Sequence, residues 1–236
     1  MRVLLVGALS VLPLFAQAAV TANVAATNDY VFRGISNSGH QPALQGGLDY
    51  TSASGAYAGT WLSNVDFNDG RQARTEVDYY AGHAGSKDAF SWDASYLSFN
   101  YPGTAKALKY ASYKYRLDLR YTLPIVTVGA YYDFIGDYFG SGAAQYFEGI
   151  AIIPLSNEIN LDVRLGRQRL SNNAMLGLPD YTQRSISLQK RFGDWDARLT
   201  WQSNGLARAE CFAGQNWCGD AVNLLLTRYF TLLDGK

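Results

Sequence analysis

The sequence predicts an all-β fold, a single transmembrane antiparallel up-and-down β-barrel of about 12 strands that follows a cleavable signal peptide. Segments of roughly ten residues alternate apolar with polar side chains, which is the period of a strand with one apolar face and one wet face. The turn-forming gaps between these segments alternate between long and short. Tyr (17) and Gly (23) are abundant and charged residues make up only 17% of the 236 residues, a composition that favours strands and tight turns.

The N-terminus has the three parts of an export signal. Arg2 is the positive region, Val3 to Phe15 is the apolar region, and Ala16-Gln17-Ala18 is a small-residue cleavage site. The apolar region is shorter than the roughly 20 residues that a membrane-spanning helix needs. We therefore expect residues 1–18 to be a signal peptide, residues 19–230 to be the barrel and residues 231–236 to be a short C-terminal tail.

Twelve segments carry the strand pattern in order. The first is the clearest, because Val24 and its apolar neighbours alternate with polar residues such as Asn23 as far as Arg33. The third contains Trp61 but alternates weakly, and in the fifth the apolar parity switches beyond Leu97, which predicts a β-bulge. The predicted strands are 20–33, 41–50, 56–64, 74–82, 90–101, 110–121, 125–133, 146–153, 159–168, 181–192, 195–202 and 221–230.

The gaps support a barrel over its main alternative, a soluble β-sandwich. The long gaps are 34–40, 65–73, 102–109, 133–145, 169–180 and 203–220. The short gaps are 51–55, 83–89, 122–124, 154–158 and 193–194. Outer-membrane barrels have long external loops and short periplasmic turns. Strands of a sandwich are more often five or six residues long, and its loops need not alternate in length.

Two cysteines, Cys211 and Cys218, lie in the last long loop. An exported chain reaches an oxidising compartment, so we expect them to form a disulfide that closes this loop. A metal site is the alternative. It lacks partners, because His40 and His83 are distant in sequence and no CxxC motif exists.

Charged side chains in the middle of the strands must face the lumen, because a Lys or Arg facing lipid costs roughly 2–4 kcal/mol. The residues predicted to line the pore are Asp29, Arg33, Asp49, Glu76, Asp78, Asp93, Lys114, Arg116, Asp118, Arg120, Glu148, Asp162, Arg164, Asp196 and Arg198. These charges either line an open channel and set its ion preference, or pair across the lumen and plug it. Twelve strands permit a narrow channel without requiring one. The acids outnumber the bases in this set, which favours weak cation preference.

Aromatic residues near strand ends suit the interfacial girdles of a membrane barrel. The residues assigned to these girdles are Tyr30, Tyr50, Trp61, Trp92, Tyr121, Trp195 and Trp201. A further group lies in the predicted loop from Phe134 to Phe147. These aromatics are alternatively a constriction that folds into the lumen.

One segment resembles a known family. Asn28-Asp-Tyr-Val-Phe-Arg-Gly-Ile-Ser36, followed by Gln45-Gly-Gly-Leu-Asp-Tyr50, is similar to the opening hairpin of the TorF-type porin family of proteobacterial outer-membrane β-barrel proteins. The similarity continues through Tyr57-Ala-Gly59 and Ser63-Asn-Val-Asp-Phe67, and more loosely through the final Leu226-Thr-Arg-Tyr-Phe230. The resemblance implies an outer-membrane barrel with porin activity over the mature chain, and it transfers no catalytic or binding residues. Members usually end on the terminal aromatic, whereas here Thr231 to Lys236 follow Phe230, so the resemblance does not define the segment that the assembly machinery recognises.

We therefore expect a channel in the cell outer membrane that allows passive diffusion of small hydrophilic solutes or ions. Its partners would be the lipid bilayer, those solutes, and the outer-membrane assembly machinery during biogenesis. Balanced charge, with 20 basic and 20 acidic residues, gives no reason to expect nucleic acid. We expect no cofactor, no metal and no catalytic residue. The alternatives are a plugged structural barrel, or one that binds a ligand or adheres through its external loops. A lipid-modifying enzyme is less favoured, because His40 and His83 lie in no recognised motif. The oligomeric state is not assigned.

Overall fold

The computed structural model describes residues 18–70, 72–155 and 158–234. The predicted signal peptide lies outside these residues except for Ala18. The strands are β1 (Ala19–Thr27), β2 (Val31–Phe32), β3 (Ile35–Ser36), β4 (Ala43–Thr51), β5 (Ala56–Asn64), β6 (Thr75–Lys87), β7 (Phe90–Asn100), β8 (Ser112–Thr122), β9 (Thr127–Ile135), β10 (Ala144–Pro154), β11 (Ile159–Leu170), β12 (Tyr181–Phe192), β13 (Trp195–Ser203) and β14 (Asp220–Asp234). One helical turn, α1 (Asn173–Leu176), and two 3₁₀ turns, Lys106–Leu108 and Arg208–Glu210, lie in the connections. No helix in the described ranges is long and apolar enough to cross a membrane.

Twelve of these strands form one closed antiparallel barrel, as the sequence predicts. Each strand pairs with its neighbour in the chain, and β1 closes the ring by pairing with β14 on one side and β4 on the other. Within the described residues, Ala19 and Asp234 lie at the edge that carries the short turns, and the long loops lie at the opposite edge. The remaining strands, β2 and β3, form a separate two-stranded sheet within the first long loop.

The wall sorts its side chains by parity, and β8 shows this most clearly. Lys114, Arg116, Asp118 and Arg120 are at most 8% exposed. The intervening tyrosines and leucines are 39–53% exposed, which places them on the outer face. An apolar belt of this kind is stable against lipid tails. A closed ring also leaves no strand edge with unpaired backbone groups.

Three element boundaries differ from the sequence prediction. The first strand ends at Thr27 and does not continue to Arg33, because the chain turns into the barrel there. Strand β6 runs to Lys87, so His83 lies in the wall and not in a turn. The last strand continues to Asp234 and pairs with β1, so most of the predicted tail 231–236 belongs to the barrel.

The predicted β-bulge beyond Leu97 is wrong. Strand β7 pairs with β6 and with β8 in unbroken register through this region. Leu97 and Phe99 instead face inward, and Phe99 lies 6.4 Å from the ring of Phe32 in an edge-on contact. The parity switch therefore marks an apolar patch on the lumen wall, against which a loop packs.

The outward belt predicts a strong asymmetry between two adjacent residues of β13. Leu199 is 49% exposed and pairs with two outward leucines, whereas Thr200 lines the lumen. We expect Leu199→Arg to lower the free energy of unfolding from a lipid bilayer by roughly 2–4 kcal/mol, because the guanidinium would face lipid near mid-membrane. Thr200→Arg is the matched control and should cost much less. Denaturant titration in phospholipid vesicles measures both, and equal losses would contradict the assignment of faces.

Candidate functional site: the lumen and its inward hairpin

The first long connection, residues 28–42, folds back into the barrel. Within it the inward hairpin (residues 29–36) joins β2 to β3 through Arg33 and Gly34. Both turn residues have positive φ, 52° and 77°, as a two-residue type I′ turn requires. A Cβ on Gly34 would lie 2.9 Å from the Cβ of Asn204, so the close approach also favours glycine. Arg33 is unusual here, since the left-handed region costs a non-glycine residue roughly 1–2 kcal/mol.

The Arg33 side chain holds the hairpin to the far wall. Its guanidinium forms an ion pair with Asp133 on β9, and both side chains are almost fully buried. A second nitrogen donates to Gln168 Oε1 at 2.8 Å. The guanidinium carbon lies 4.1 Å from the ring centre of Tyr146, a cation–π contact. The free energy of these contacts offsets the conformational cost of the positive φ at Arg33.

The hairpin crosses the lumen from wall to wall. Tyr30 packs edge-on against Trp61 of β5, with ring centres 5.3 Å apart. Arg33 reaches Gln168 of β11. In the strand ring these two strands are separated by six of twelve steps, through β6, β7, β8, β9 and β10, so they lie on opposite sides of the barrel. The hairpin therefore occludes the lumen in this conformation.

Asp133 is the centre of the charged cluster, and the sequence analysis did not include it. Its carboxylate accepts two hydrogen bonds from Arg116, at 2.6 and 2.7 Å, in addition to the ion pair with Arg33. Lys114 Nζ lies 3.9 Å away. The sequence prediction ended the strand at Asp133 and began a loop there, whereas β9 continues to Ile135. Asp133 has the same inward-facing parity as Tyr131, and this parity could have identified Asp133 as a lumen residue from the sequence.

Further ion pairs join the predicted lumen charges on the same side of the barrel. Arg120 pairs with Asp118 at 2.8 Å. Asp162 accepts from Arg164 at 2.6 Å and from Arg198 at 3.2 Å. Two of these pairs lie within a single strand, and Arg198 of β13 reaches Asp162 of β11 past the intervening β12, so the pairs line the wall and do not bridge the opening.

The opposite wall carries acids without basic partners. In the described part of the chain, no Lys or Arg nitrogen lies within 4 Å of Asp49, Glu76, Asp78 or Asp93, which belong to β4, β6 and β7. Tyrosine hydroxyls donate hydrogen bonds to three of these acids, Asp49, Glu76 and Asp93. Tyr57, for example, donates to Asp93 at 2.7 Å. The acids that lack basic partners therefore lie on one wall of the lumen, and the lumen arginines lie on the other.

Beneath the hairpin lies a lumen cavity of about 370 Å³. It extends from the hairpin residue Arg33 to Thr51, Tyr57 and Tyr229 near the short turns. The predicted charges that line it are Asp29, Arg33, Asp49, Asp78, Asp93, Lys114, Arg116, Glu148, Arg164 and Arg198. The other five are buried in the wall outside that lining: Glu76, Asp118, Arg120, Asp162 and Asp196. Asp29 and Arg33 reach the lumen from the loop and not from a strand.

An apolar cap closes the long-loop end above the hairpin. Ile35 of the hairpin packs in a buried cluster with Ile135, Tyr138, Leu178 and Tyr181. Phe139 borders this cluster and stacks edge-on with Tyr138 at 4.9 Å. The aromatic loop between Phe134 and Phe147 therefore contributes to the closure, as its alternative role as a constriction requires.

A latch fixes the hairpin loop to the last long loop. The predicted disulfide between Cys211 and Cys218 is present, with Cα atoms 5.8 Å apart. Within the loop that it closes, the Trp217 carbonyl accepts from the Ser36 amide at 2.9 Å. Asn216 and Asp29 bind the two ring nitrogens of His40 at 2.6 and 2.8 Å. Because both are acceptors, this geometry suits the doubly protonated imidazolium.

These contacts raise the pKa of His40. Partial burial lowers it, but the hydrogen bonds to the Asn216 carbonyl and the Asp29 carboxylate, together with the negative charge of Asp29, outweigh this effect. Asp29 in turn accepts from Ser36 Oγ at 2.6 Å and Ser38 Oγ at 3.0 Å. His40 is thus committed to holding two loops together.

Two aromatic assignments are wrong. Tyr30 lies in the inward hairpin, where its hydroxyl donates to Glu76 Oε1 at 3.1 Å, and Trp61 faces the lumen. Weak alternation in β5 hid the inward parity of Trp61. Tyr50, Tyr121, Trp195 and Trp201 are 36–49% exposed on the outer face, as a girdle requires. Within the described residues, no cluster of three or more His, Cys, Asp or Glu side chains is arranged to hold a metal ion.

The chain has the fold of solved outer-membrane porins. It is similar to the KdgM porin, with a TM-score of 0.61, 8% identity and coverage of 89% of this chain and 99% of that one. It is also similar to a structure of the KdgM porin in complex with disordered oligogalacturonate, with a TM-score of 0.60 and 7% identity, and the match covers 90% of this chain and 99% of that one. A third similar structure is an outer membrane channel from Pseudomonas putida F1, with a TM-score of 0.53 and 13% identity, and the match covers 96% of this chain and 100% of that one. At these identities the likeness concerns the fold alone.

Among curated proteins no match to the chain is found. A family model described as a bacterial protein of unknown function (Gcw_chp) matches residues 16–221. Because this match includes nearly the whole barrel, the chain belongs to the Gcw_chp family of bacterial proteins of unknown function.

Proposed function

We propose that the protein is a porin-like channel of the cell outer membrane that allows passive diffusion of small hydrophilic solutes or ions. The observation that carries this proposal is a charged cavity of about 370 Å³ inside a closed barrel whose outer face is apolar. Such a wall is stable only with lipid outside and a polar interior. The signal peptide of residues 1–18, export, and assembly by the outer-membrane machinery belong to the same proposal. So does membership of the TorF-type porins, which the opening hairpin resembles.

The channel is gated by the inward hairpin. Diffusion requires the Arg33–Asp133 contact to break and the hairpin to leave the lumen. Asp133 would remain paired with Arg116, so opening would not leave a buried carboxylate without a basic partner. This arrangement keeps the penalty of opening well below that of breaking a fully isolated buried pair, about 3–5 kcal/mol.

The charge pattern indicates which solutes would pass. Among the cavity-lining residues that the sequence singled out, five are acids and five are bases, so the acid excess behind the expected cation preference does not extend to the cavity itself. Asp78 and Asp93, which have no basic partner within 4 Å in the described chain, face a wall that carries Arg164 and Arg198. A small dipolar solute with both charges would align across this field. We therefore expect weak discrimination between simple cations and anions.

A plugged barrel is the second candidate. The wall-to-wall hairpin and the latch between loops favour it, because both close the long-loop end. In that case the external loops would act by binding a partner, and the lumen would carry no current.

Conductance of the refolded protein separates these functions. We expect Arg33→Ala to raise the ratio of open to closed channels in planar bilayers by roughly 10- to 100-fold. The closed state loses charge-assisted hydrogen bonds worth about 1.5–3 kcal/mol, while Asp133 keeps Arg116 as its partner. Lys190→Ala removes the same charge from an exposed position at the short-turn end of β12 and should leave the ratio unchanged.

Three outcomes of this experiment are decisive. Larger or more frequent current steps in Arg33→Ala support the gated channel. Equal conductance in Arg33→Ala and wild type would show that the hairpin is not the gate. If both proteins fold and neither conducts, the plugged barrel replaces the channel.

The His40 latch predicts a pH dependence. Its pKa is raised in the latched state, so the latch is complete below the ordinary histidine pKa of about 6.5 and weakens as pH rises through the raised value. Of the acids near this loop, Asp29 binds the ring directly and Asp66 lies beside the neighbouring Gly39. We expect open probability to rise about two- to fivefold from pH 6 to pH 9, since a partly exposed pair contributes at most about 1 kcal/mol.

The second histidine of the chain supplies the control. His40→Ala should abolish this pH response and leave the channel in its high-pH behaviour throughout. His83→Ala should retain the response, because His83 lies on the exposed outer face of β6, far from the latch. An unchanged response in His40→Ala would assign the pH effect to the lumen carboxylates.

A further inference from the structure

The outer face of the barrel carries a small group of arginines in an otherwise apolar belt. Arg167 and Arg169 on β11 and Arg184 on β12 are exposed. They face outward, because Arg167 pairs with Phe147 (55% exposed) and Arg184 pairs with Leu165 (61% exposed), and directly paired residues share a face of a sheet. We call these three residues the arginine patch.

The patch is compact and lies at the long-loop end of the barrel. Arg184 is opposite Leu165, two residues before Arg167, so Arg167 and Arg184 are diagonal neighbours at roughly 7–8 Å. Arg169 follows two residues later on the same face, roughly 7 Å further along β11. Three guanidinium groups on flexible stems can therefore converge on one phosphorylated headgroup.

Below the patch the wall is apolar. On β11 the next outward residues are Leu165 and Val163, and on β12 they are Ile186 and Leu188, all 38–61% exposed. A ligand with phosphate at one end and hydrocarbon at the other would match both parts of this surface.

The acids nearby do not neutralise the patch. Asp180 is engaged by the Leu170 amide at 2.9 Å and the Asn173 side chain at 3.0 Å. Asp220 is the first residue of β14, two strands away from Arg184. In the described chain no carboxylate oxygen lies within 4 Å of a patch nitrogen, and Arg167 donates only to Thr182 Oγ1, at 3.1 Å.

We propose that the arginine patch binds the phosphate groups of the phosphorylated glycolipid that forms the outer leaflet of the outer membrane. The inference rests on the proposed function only for location, since long loops of such barrels face the exterior. Guanidinium groups bind phosphate bidentately and are weakly hydrated, which suits an interface. The acyl chains of the same molecule would lie along the leucine and isoleucine side chains below.

Titration of the refolded barrel in detergent micelles with diphosphoryl lipid A tests this site. The readouts are calorimetric affinity and the rise in thermal unfolding temperature. Replacing all three patch arginines by alanine should weaken binding about 100-fold, from roughly fivefold for each arginine near an anionic surface. The matched control is Lys190→Ala with Arg228→Ala, which removes outward-facing basic residues nearer the short-turn end. It should bind as wild type does.

Further arms of the titration separate the alternatives. Circular dichroism and heat-modified gel mobility first establish that each variant is folded, and a triple Arg→Lys variant retains charge in case alanine disrupts the wall. Equal affinity of the folded alanine variant and wild type would overturn the proposal. So would competition by inorganic phosphate at the concentration of lipid A, which would indicate a free-phosphate site. Conductance measured in bilayers without lipid A tests the proposed function independently of this result.

Discussion

The closed lumen depends on a single buried carboxylate. Asp133 accepts from Arg116 on the adjacent strand and from Arg33 in the hairpin, and it is completely buried. A buried ion pair contributes little net stability, because desolvation of the two charges opposes their attraction. The main effect of the Arg33–Asp133 ion pair is to fix the position of the hairpin tip. The hairpin tip has one location where its guanidinium finds a carboxylate, an amide acceptor and an aromatic face together.

The same cluster explains why the hairpin can be stored inside a polar lumen. A hairpin of four paired residues has almost no sheet of its own and would be unstable in water. It is held at both ends by other parts of the protein, by Asp133 at the tip and by His40 and the disulfide-closed loop at the base. Its position is therefore set by a few contacts that are each worth only a few kcal/mol, as a two-state element requires.

Much of the barrel followed from the sequence because parity is a local property. Each strand of a membrane barrel must place one face against lipid, so the pattern along β8 alone assigns Lys114 and Leu117 to opposite sides. Strand number followed from the rhythm of the gaps. The disulfide followed from the compartment and from the shortage of other partners.

The inward hairpin was beyond this reasoning, because it depends on contacts between residues far apart in the chain. The stretch from Asn28 to Ser36 alternates as a strand does, so parity extended β1 through Arg33. Only the tertiary structure shows that Arg33 and Gly34 turn, and that Asp133, a hundred residues later, is the partner. Phe99 broke the alternation for the same reason, since it packs against Phe32 of the hairpin, and Leu97 lines the lumen beside it. Departures from the lipid-and-water pattern therefore mark where a loop occupies the lumen.

Because a loop occupies the lumen, the position of its Arg33 side chain affects how charge is distributed between the two walls. Asp49, Asp78 and Asp93 have no basic partner within 4 Å in the described chain and lie on β4, β6 and β7. Arg33 instead binds Asp133 on β9 together with Arg116, and Lys114 Nζ lies 3.9 Å from the same carboxylate. In the proposed channel, the Arg33 guanidinium would leave the lumen with the hairpin, and the arginine wall would lose one positive charge. On this proposal, opening the channel and changing the electric field inside it would be one event. Any solute that binds the open lumen better than the closed one would shift the hairpin equilibrium by that difference in affinity.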